Sequence, residues 1–222
     1  MASTGRRPSR GVEKAIEYLP FTVRVANSAA DLDKAVKIRH EAYARHLDSR
    51  LSDALRYPEP QDALPGTVIL LAESKLDGSP LGTMRIKTNQ HSPLGLEQSF
   101  DLPAWMQGKG LAEATRLGIT QDRVGRLVKV MLFKAYYLYC VSQGIDYMVI
   151  TARAPIDRQY DRMLFRDVHP GMGYVPLEHV FNLPHRVMFL DVVNAEANWD
   201  DADHPMLGFM CDTLHPDLKV SA

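Results

Sequence analysis

Apolar positions along this chain recur at two spacings, and the switches between them mark its elements. Residues 21–26 (FTVRVA) alternate apolar and polar side chains, the period of a half-buried strand. Ser28-Ala-Ala-Asp31 then has the form of a capping box and opens a helix predicted through residue 47, with Leu32, Val36, Tyr43 and Leu47 on its apolar stripe. Arg39 falls on that stripe, so it must either find an anion or snorkel at the stripe's edge. Residues 67–73 (TVILLAE) read as a central strand, Asp77-Gly78 as a hairpin turn, and residues 81–88 (LGTMRIKT) as the returning strand. Alternation sets Thr83, Arg85 and Lys87 on one face of that strand and Met84 and Ile86 on the other.

The segment 111–144 organises the rest. It begins as a buried strand, LAEATRLGIT, that carries Glu113 and Arg116 among small and apolar residues. It ends as a helix, RLVKVMLFKAYYLYCVSQG, apolar on nearly every side and therefore expected inside the fold. The turn between them, where a strand meets a helix N-terminus, is suited to receiving an anion. Residues 146–151 (DYMVIT) predict another buried strand. A helix opening at Pro155, with Ile156, Tyr160, Met163 and Leu164 as its stripe, is expected to end at Gly171 and Gly173. Residues 174–180 and 186–193 predict a closing hairpin, and one short helix is expected around residues 207–214.

Two proline-bearing excursions break this order. Residues 48–66 read as an irregular loop, and residues 89–110 as a flap laid over the core by Leu94, Leu96, Phe100, Leu102, Trp105 and Met106. At the N-terminus, residues 1–10 read as a disordered basic tail and residues 11–19 as a short amphipathic helix with Val12, Ile16 and Leu19 at helical spacing. The expected organisation is a tail and short helix at 1–20, one domain at 21–193 and an extension at 194–222. The fold class is α/β, a mixed central sheet flanked by helices with an antiparallel half and a βαβ unit.

Composition narrows the possibilities only modestly. With 222 residues, 45% hydrophobic and 24% charged, the chain is an ordinary globular protein with enough material for a core. A net charge of −1 gives no reason to expect nucleic acid or an anionic membrane as a partner. Neither a secretory leader nor an apolar run of roughly 20 residues is present, and two cysteines make no disulfide framework, so a cytoplasmic protein is expected. The histidines show no metal-ligand spacing, and no metal is expected.

Three short motifs carry a resemblance. They are Ile38-Arg39-His40-Glu41-Ala42-Tyr43 on the first helix, Gly82-Thr83-Met84-Arg85 on a strand, and Glu113-Ala114-Thr115-Arg116 on the next. Together with Phe165, Gly171, Gly173 and Tyr174 in an F…GMGY pattern, they make the chain resemble the GNAT-fold acyltransferases. Within these it is similar to the long-chain N-acyl amino acid synthases and, more distantly, the N-acyl homoserine lactone (autoinducer) synthases. Glu59 and Asp62 stand where the autoinducer synthases carry an acidic pair. The loop before the main helix departs from the acetyl-CoA-using pattern, since Asp122-Arg-Val-Gly125-Arg-Leu127 keeps one glycine. That departure favours a donor delivered on acyl carrier protein, with acyl-CoA as the other candidate.

The resemblance implies aminolysis of a thioester, with no cofactor permanently bound. The co-substrate is an acyl carrier phosphopantetheine thioester or acyl-CoA, and the acceptor an amino-acid amine. Glu113 is the candidate base, directly or through a water. Strict alternation sets it and Arg116 on opposite faces, so a bulge between them is expected, which also frees N–H groups near Leu117 and Ile119 for the thioester oxygen. The competing reading pairs Glu113 with Arg116 or Arg39 as a structural ion pair. Arg39 and Arg85, beside Tyr43, are candidates to clamp the acceptor carboxylate. Arg123, Gly125 and Arg126, with Lys129, are candidates for the donor phosphate. Met131, Phe133, Tyr136, Tyr137 and Tyr139 fit the core or an acyl tunnel. Two alternatives remain: an N-acyl homoserine lactone synthase using S-adenosylmethionine, and a non-catalytic shell that binds an acyl carrier or another partner.

Overall fold

A computed structural model describes residues 14–220. The predicted disordered tail and the first part of the predicted N-terminal helix lie outside the described residues. The remainder of that segment is not helical: β1 (Ala15–Ile16) is extended and pairs in parallel with β10 (Thr213–Leu214), leaving Ile16 exposed. Of the two apolar residues Ile16 and Leu19, only Leu19 turns into the core, ahead of Phe21.

β2 (Phe21–Val25) leads to α1 (Ala29–Tyr43), whose N-cap Ser28 accepts from the Asp31 amide at 3.1 Å. Asp31 does not complete the reciprocal cap. It turns instead to the Arg24 guanidinium and to the Asn27 amide. The predicted loop 48–66 contains α2 (Ser49–Asp53), which Asp48 caps, and a 3-10 turn at Pro60–Ala63. β3 (Thr67–Ser74) and β4 (Pro80–Thr88) form the expected hairpin. After the flap come β5 (Leu111–Ile119), α3 (Arg123–Ser142), β6 (Tyr147–Ala152) and α4 (Asp157–Asp161).

α4 is shorter than its stripe implied. Only Tyr160 of the four stripe residues is fully buried, Ile156 is exposed, and Leu164 adopts a left-handed φ of 66° that ends the turn. A short strand, β7 (Arg166–Asp167), comes well before the glycines, which lie in the next turn. β8 (Val175–Leu177) and β9 (Leu183–Asp191) close the hairpin. The tail forms α5 (Ala195–Asp201), then the expected short helix, which is of π type at Gly208–Asp212, then β10 and β11 (Leu218–Lys219). Trp199, Met210 and Val220 belong to the main core, so this segment is packed against the rest.

The large sheet runs β11-β2-β3-β4-β5-β6-β9-β7, with β8 beside β9. It is antiparallel except at β11/β2 and β5/β6. α3 fills one face with Met131, Leu132, Phe133, Ala135 and Tyr136 against Met84, Ile86 and Ile150. The opposite face carries α1 over β3 to β5, and beside it the flap packs Leu94, Leu96, Phe100 and Met106 on Leu111, Val149 and Val187, as its apolar content predicted. Gly118 lets α1 approach closely, since a Cβ there would stand 3.0 Å from the Arg39 Cα.

The site is positioned by a break in the sheet. β5 and β6 pair only from Leu111↔Tyr147 to Ala114↔Ile150 and then part, although β5 continues to Ile119. In the same stretch β5 slips one residue against β4, and Arg116 adopts a left-handed φ of 54°. That conformation costs a non-glycine residue roughly 1–2 kcal/mol, so something must hold it.

Candidate active site

The cluster that holds Arg116 joins β5 to three other elements, the Glu59–Asp62 turn, β4 and α1. Its Nε and Nη2 each donate to Glu59 at 2.7 Å, a bidentate pair. Arg85 on β4 donates from Nη1 to Glu59 at 3.1 Å and to Asp62 at 3.0 Å, and from Nε to Thr115 at 3.1 Å. Arg39 on α1, only 3% exposed, donates both Nη groups to Asp62 at 3.0 and 2.8 Å. Asp62 also accepts from the Glu59 amide, closing the proline-bearing turn on itself. Burial pushes both carboxyls up, but the hydrogen bonds and charges of the arginines prevail and hold Glu59 and Asp62 below the usual carboxylate range. Three guanidiniums against two carboxylates leave this cluster one positive charge in excess.

Arg39 and Arg85 are paired with protein carboxylates, although Arg39 Nε has no hydrogen-bond partner among the described residues, and neither of the two expected clamp residues lines the cavity. The bulge does bring Arg116 onto the face of β5 that carries Glu113 and Thr115. Even so, Glu113 pairs with neither arginine. It is 2% exposed, and Oε2 accepts from the Gly95 amide at 2.9 Å and the Leu96 amide at 3.4 Å. His179 Nε2 lies 2.8 Å from Oε1, off the line of a good hydrogen bond. The carboxylate thus ties the flap and the turn after β8 to β5, and it does not reach the cavity wall where a base was expected.

That cavity, about 110 Å³, opens where β5 and β6 part. It passes between the faces of the sheet, with Tyr43 at the end of α1 and Leu47 in the turn after it on one side and Phe133 of α3 and Tyr160 of α4 on the other; α1 thus stops four residues short of its predicted end at 47. Its walls include Ala114, Thr115, Arg116 and Leu117 of β5, Ile150, Thr151 and Arg153 of and after β6, and Val180, Phe181, Leu183 and His185 of the closing hairpin. Arg116 also lies over the Phe181 ring, 5.2 Å from its centroid. Burial raises the Tyr43 phenol above its usual pKa against the opposing pull of Arg116 and Arg85, so it enters the site as a neutral hydroxyl. The volume is below the roughly 150 Å³ that encloses benzene, so the cavity as it stands receives the head of an acyl chain and not a long tail. Of the five aromatic and sulfur-bearing candidates for a tunnel, only Phe133 reaches it. Ile119 packs on the main core instead. Arg153, Phe181 and His185 carry no local motif, and only the fold brings them together with Thr115 of the β5 motif.

The start of α3 is already capped. Asp122 accepts from the Gly125 amide at 2.7 Å and from Thr120 Oγ1 at 2.9 Å, occupying one of the N–H groups expected to meet a phosphate. Gly125 serves close packing, since a Cβ there would stand 2.0 Å from the Thr120 carbonyl oxygen. Arg123 and Arg126 project from this turn and are exposed, while Lys129 donates to Gln159 at 2.6 Å. Burial pushes the Cys140 thiol well up and the Cys211 thiol up to about 11, so neither is an activated nucleophile. Among the described residues, no group of three or more His, Cys, Asp or Glu side chains is placed to hold a metal ion, and no helix is long and apolar enough to cross a membrane.

Solved structures share this architecture. FeeM, an N-acyl amino acid synthase from uncultured soil microbes, superposes with a TM-score of 0.62 at 19% identity, over 80% of this chain and 93% of its own. BjaI, a CoA-dependent acyl-homoserine lactone synthase solved with SAM and isopentyl-CoA, gives 0.55 at 18% identity, over 88% and 93%. The AHL synthase LasI gives 0.53 at 16%, over 76% and 87%. These likenesses establish the GNAT-like fold. A direct comparison with curated protein sequences finds no match. The family model described as N-acyl amino acid synthase FeeM matches residues 34–184, a span that takes in most of α1, the Glu59–Asp62 turn, the bulged β5 and α3. The chain is an acyltransferase that belongs to the FeeM N-acyl amino acid synthase family.

Proposed function

We propose that the protein joins a fatty acyl group, presented as a thioester, to the amine of an amino acid by direct aminolysis. The observation that carries this reading is the cavity that crosses the sheet where β5 and β6 part, apolar along most of its wall and bordered by Arg116. Beyond Ala114, β5 no longer has β6 as a partner, so N–H groups within residues 115–119 that β4 does not use face the opening. They are suited to the thioester oxygen as it gains charge. Arg116 adds the excess positive charge of its cluster at the same place, favouring both the oxyanion and the departing thiolate. The first acyl carbons lie against Leu117 and Phe133, and Tyr43 borders the reacting carbonyl. Arg39 and Arg85 serve the reaction indirectly, by fixing Glu59 and Asp62 and through them Arg116. Glu113 is a positioning residue that fastens the turn bearing Val180 and Phe181.

The donor is an acyl carrier thioester in this reading. Asp122 puts a carboxylate where a coenzyme pyrophosphate would seek backbone N–H groups, whereas Arg123 and Arg126 are free to meet the single phosphate of a carrier's phosphopantetheine arm. The acceptor is an amino acid because the matching family acts on amino acids; no separate observation favours the lactone synthase or a non-catalytic shell. The experiment supplies purified protein with acyl carrier thioesters and acyl-CoA of graded length, together with each amino acid or S-adenosylmethionine. It follows thiol release and product mass. An N-acyl amino acid is expected, formed faster from the carrier-borne donor. An acyl lactone from S-adenosylmethionine would transfer the assignment to the lactone synthases, and absence of thiol release with every acceptor would leave only the non-catalytic shell.

A further inference from the structure

Glu113, Arg39 and Arg85 do not line the cavity and so do not meet a proton or a carboxylate there, whereas two residues on its wall can. His185 on β9 holds Nδ1 2.7 Å from the Leu183 carbonyl oxygen. A carbonyl only accepts, so Nδ1 carries the hydrogen and Nε2 keeps the lone pair. Nε2 has no hydrogen-bond partner among the described residues. Arg153 follows directly on the last pair of the β6/β9 ladder, Ala152↔Arg186, close enough for its charge to act on His185. Both line the same cavity, and the Arg153 guanidinium has no ion-pair partner among the described residues, unlike Arg39, Arg85 and Arg116.

We infer that His185 is the general base of the acyl transfer and that Arg153 anchors the acceptor's carboxylate beside it. This rests on the N-acyl transfer reading above. His185 Nε2 takes one proton from the acceptor ammonium, and the freed amine forms the C–N bond as the C–S bond breaks. The thiolate leaves with the electron pair and takes the second nitrogen proton, and the imidazolium returns its proton to solvent. An ammonium and a thioester thus give an amide, a thiol and one released proton. Burial lowers the His185 pKa below 6.5, with Arg153 and His179 adding to the shift and the Leu183 carbonyl opposing it, so the ring is neutral and basic at pH 7. The other charged or titratable groups around it are Arg116 on β5, Tyr43 on α1 and Tyr160 on α4.

The test compares wild type with H185Q, H185N and R153Q, using the amino acid and thioester that the wild type turns over. H185N keeps an amide N–H able to reach the Leu183 carbonyl, so it separates loss of the base from loss of folding, which thermal unfolding checks in parallel. Both His185 variants are expected to lose about 10²–10⁴-fold in kcat, to lose the acid limb of the pH profile, and to regain turnover with added imidazole. R153Q is expected to raise the acceptor KM roughly 10- to 100-fold while sparing kcat. Replacing the acceptor's carboxylate by a carboxamide should then penalise wild type but not R153Q. Folded His185 variants with undiminished kcat or an unchanged acid limb would overturn the base, and an R153Q variant that still discriminates acid from amide would overturn the anchor. If wild type turns over no amine at all, the acyl transfer reading falls and takes this inference with it; variants that match an active wild type overturn this inference alone.

Discussion

Replacing Glu59 by glutamine tests the cluster on which the site geometry depends. Glu59 accepts two hydrogen bonds from Arg116 and one from Arg85, and its Oε2 lies 3.3 Å from Arg39 Nη1. Its side chain is 15% exposed and that of Arg116 6%, so solvent offers little compensation. Glutamine keeps the shape but removes the charge and turns an amide N–H₂ toward guanidinium donors. The cluster then holds three cations against Asp62 alone. Breaking a buried pair by removing one partner costs roughly 3–5 kcal/mol. Because glutamine retains one acceptor oxygen, the lower figure, about 3 kcal/mol, is expected. For a chain of this size that lowers Tm by roughly 6–12 °C. The assay is thermal and urea unfolding of wild type, E59Q, R116M and the double variant at low salt, with the double variant regaining more than about 1 kcal/mol relative to additivity. The pH dependence has a definite sign. Glu59 and Asp62 titrate below the usual range when folded, so their stabilisation is complete above the unfolded values near 4 and is lost as pH falls through the folded ones. The stability of E59Q should therefore fall less steeply in acid than that of wild type. An E59Q variant within about 0.5 kcal/mol of wild type, with an unchanged acid profile, would mean that the buried charges do not hold the site together.

Three further outcomes are expected. Tyr136 donates its hydroxyl hydrogen to the Ala112 carbonyl and accepts from the Val149 amide at 3.2 Å, bridging β5 and β6 just before they part; Y136F should cost roughly 1–3 kcal/mol in urea unfolding, and a smaller loss would mean the bridge is idle. F133A should remove the ring that packs 5.2 Å from Tyr160 at the cavity wall, trading about 3–5 kcal/mol of stability for a shift toward longer donors, read as kcat/KM ratios rising by up to roughly fourfold per methylene. A flat chain-length profile in F133A would dissociate Phe133 from the acyl site. Lys134, buried in α3 and bonded to the Phe209 and Thr213 carbonyls, is pushed down to about 8 by burial. The unfolded chain therefore binds the extra proton between about pH 8 and the ordinary lysine value near 10.4, and wild-type stability should rise with pH across that window relative to K134M. Parallel curves for the two would overturn it.

Periodicity made the sheet legible because burial imposes it. β3, β4, β5 and β6 fall within a residue or two of their predicted spans, and alternation on β4 correctly separated Arg85 from Met84 and Ile86. α3 was equally readable, since twenty residues apolar around most of the circumference have only the core to occupy. The errors fall where a segment's partner lies far away in sequence. β1 and β11 are two-residue strands whose form comes from β10 and β2, and no local period announces them. α5 escaped notice because Ala195 and Trp199 alone carry its burial. The bulge was legible as a need, since Glu113 and Arg116 share a short strand, but its purpose was not. The motif invited a pairing between those two, whereas Arg116 reaches back to Glu59 and Glu113 reaches forward to the flap.

That exchange of partners explains why charge type at motif positions predicted the fold better than the chemistry. A buried arginine needs an anion, and sequence alone cannot say whether protein or substrate supplies it. Here the Glu59–Asp62 turn supplies two carboxylates to three guanidiniums, so Arg39 and Arg85 are committed before any substrate arrives. The groups left for an amino acid are those to which the described residues give no carboxylate. On the cavity wall, in the reading proposed above, those are His185 Nε2 and the Arg153 guanidinium, which adjoin the end of the antiparallel β6/β9 ladder. A one-residue slip of that ladder would turn one of the two away from the cavity, because side chains alternate faces along a strand. The pairing Ala152↔Arg186 is thus as much a part of the site as any side chain in it. An insertion in the turn between Phe181 and Leu183 that shifted β9 by one residue should abolish amine transfer even where the fold survives.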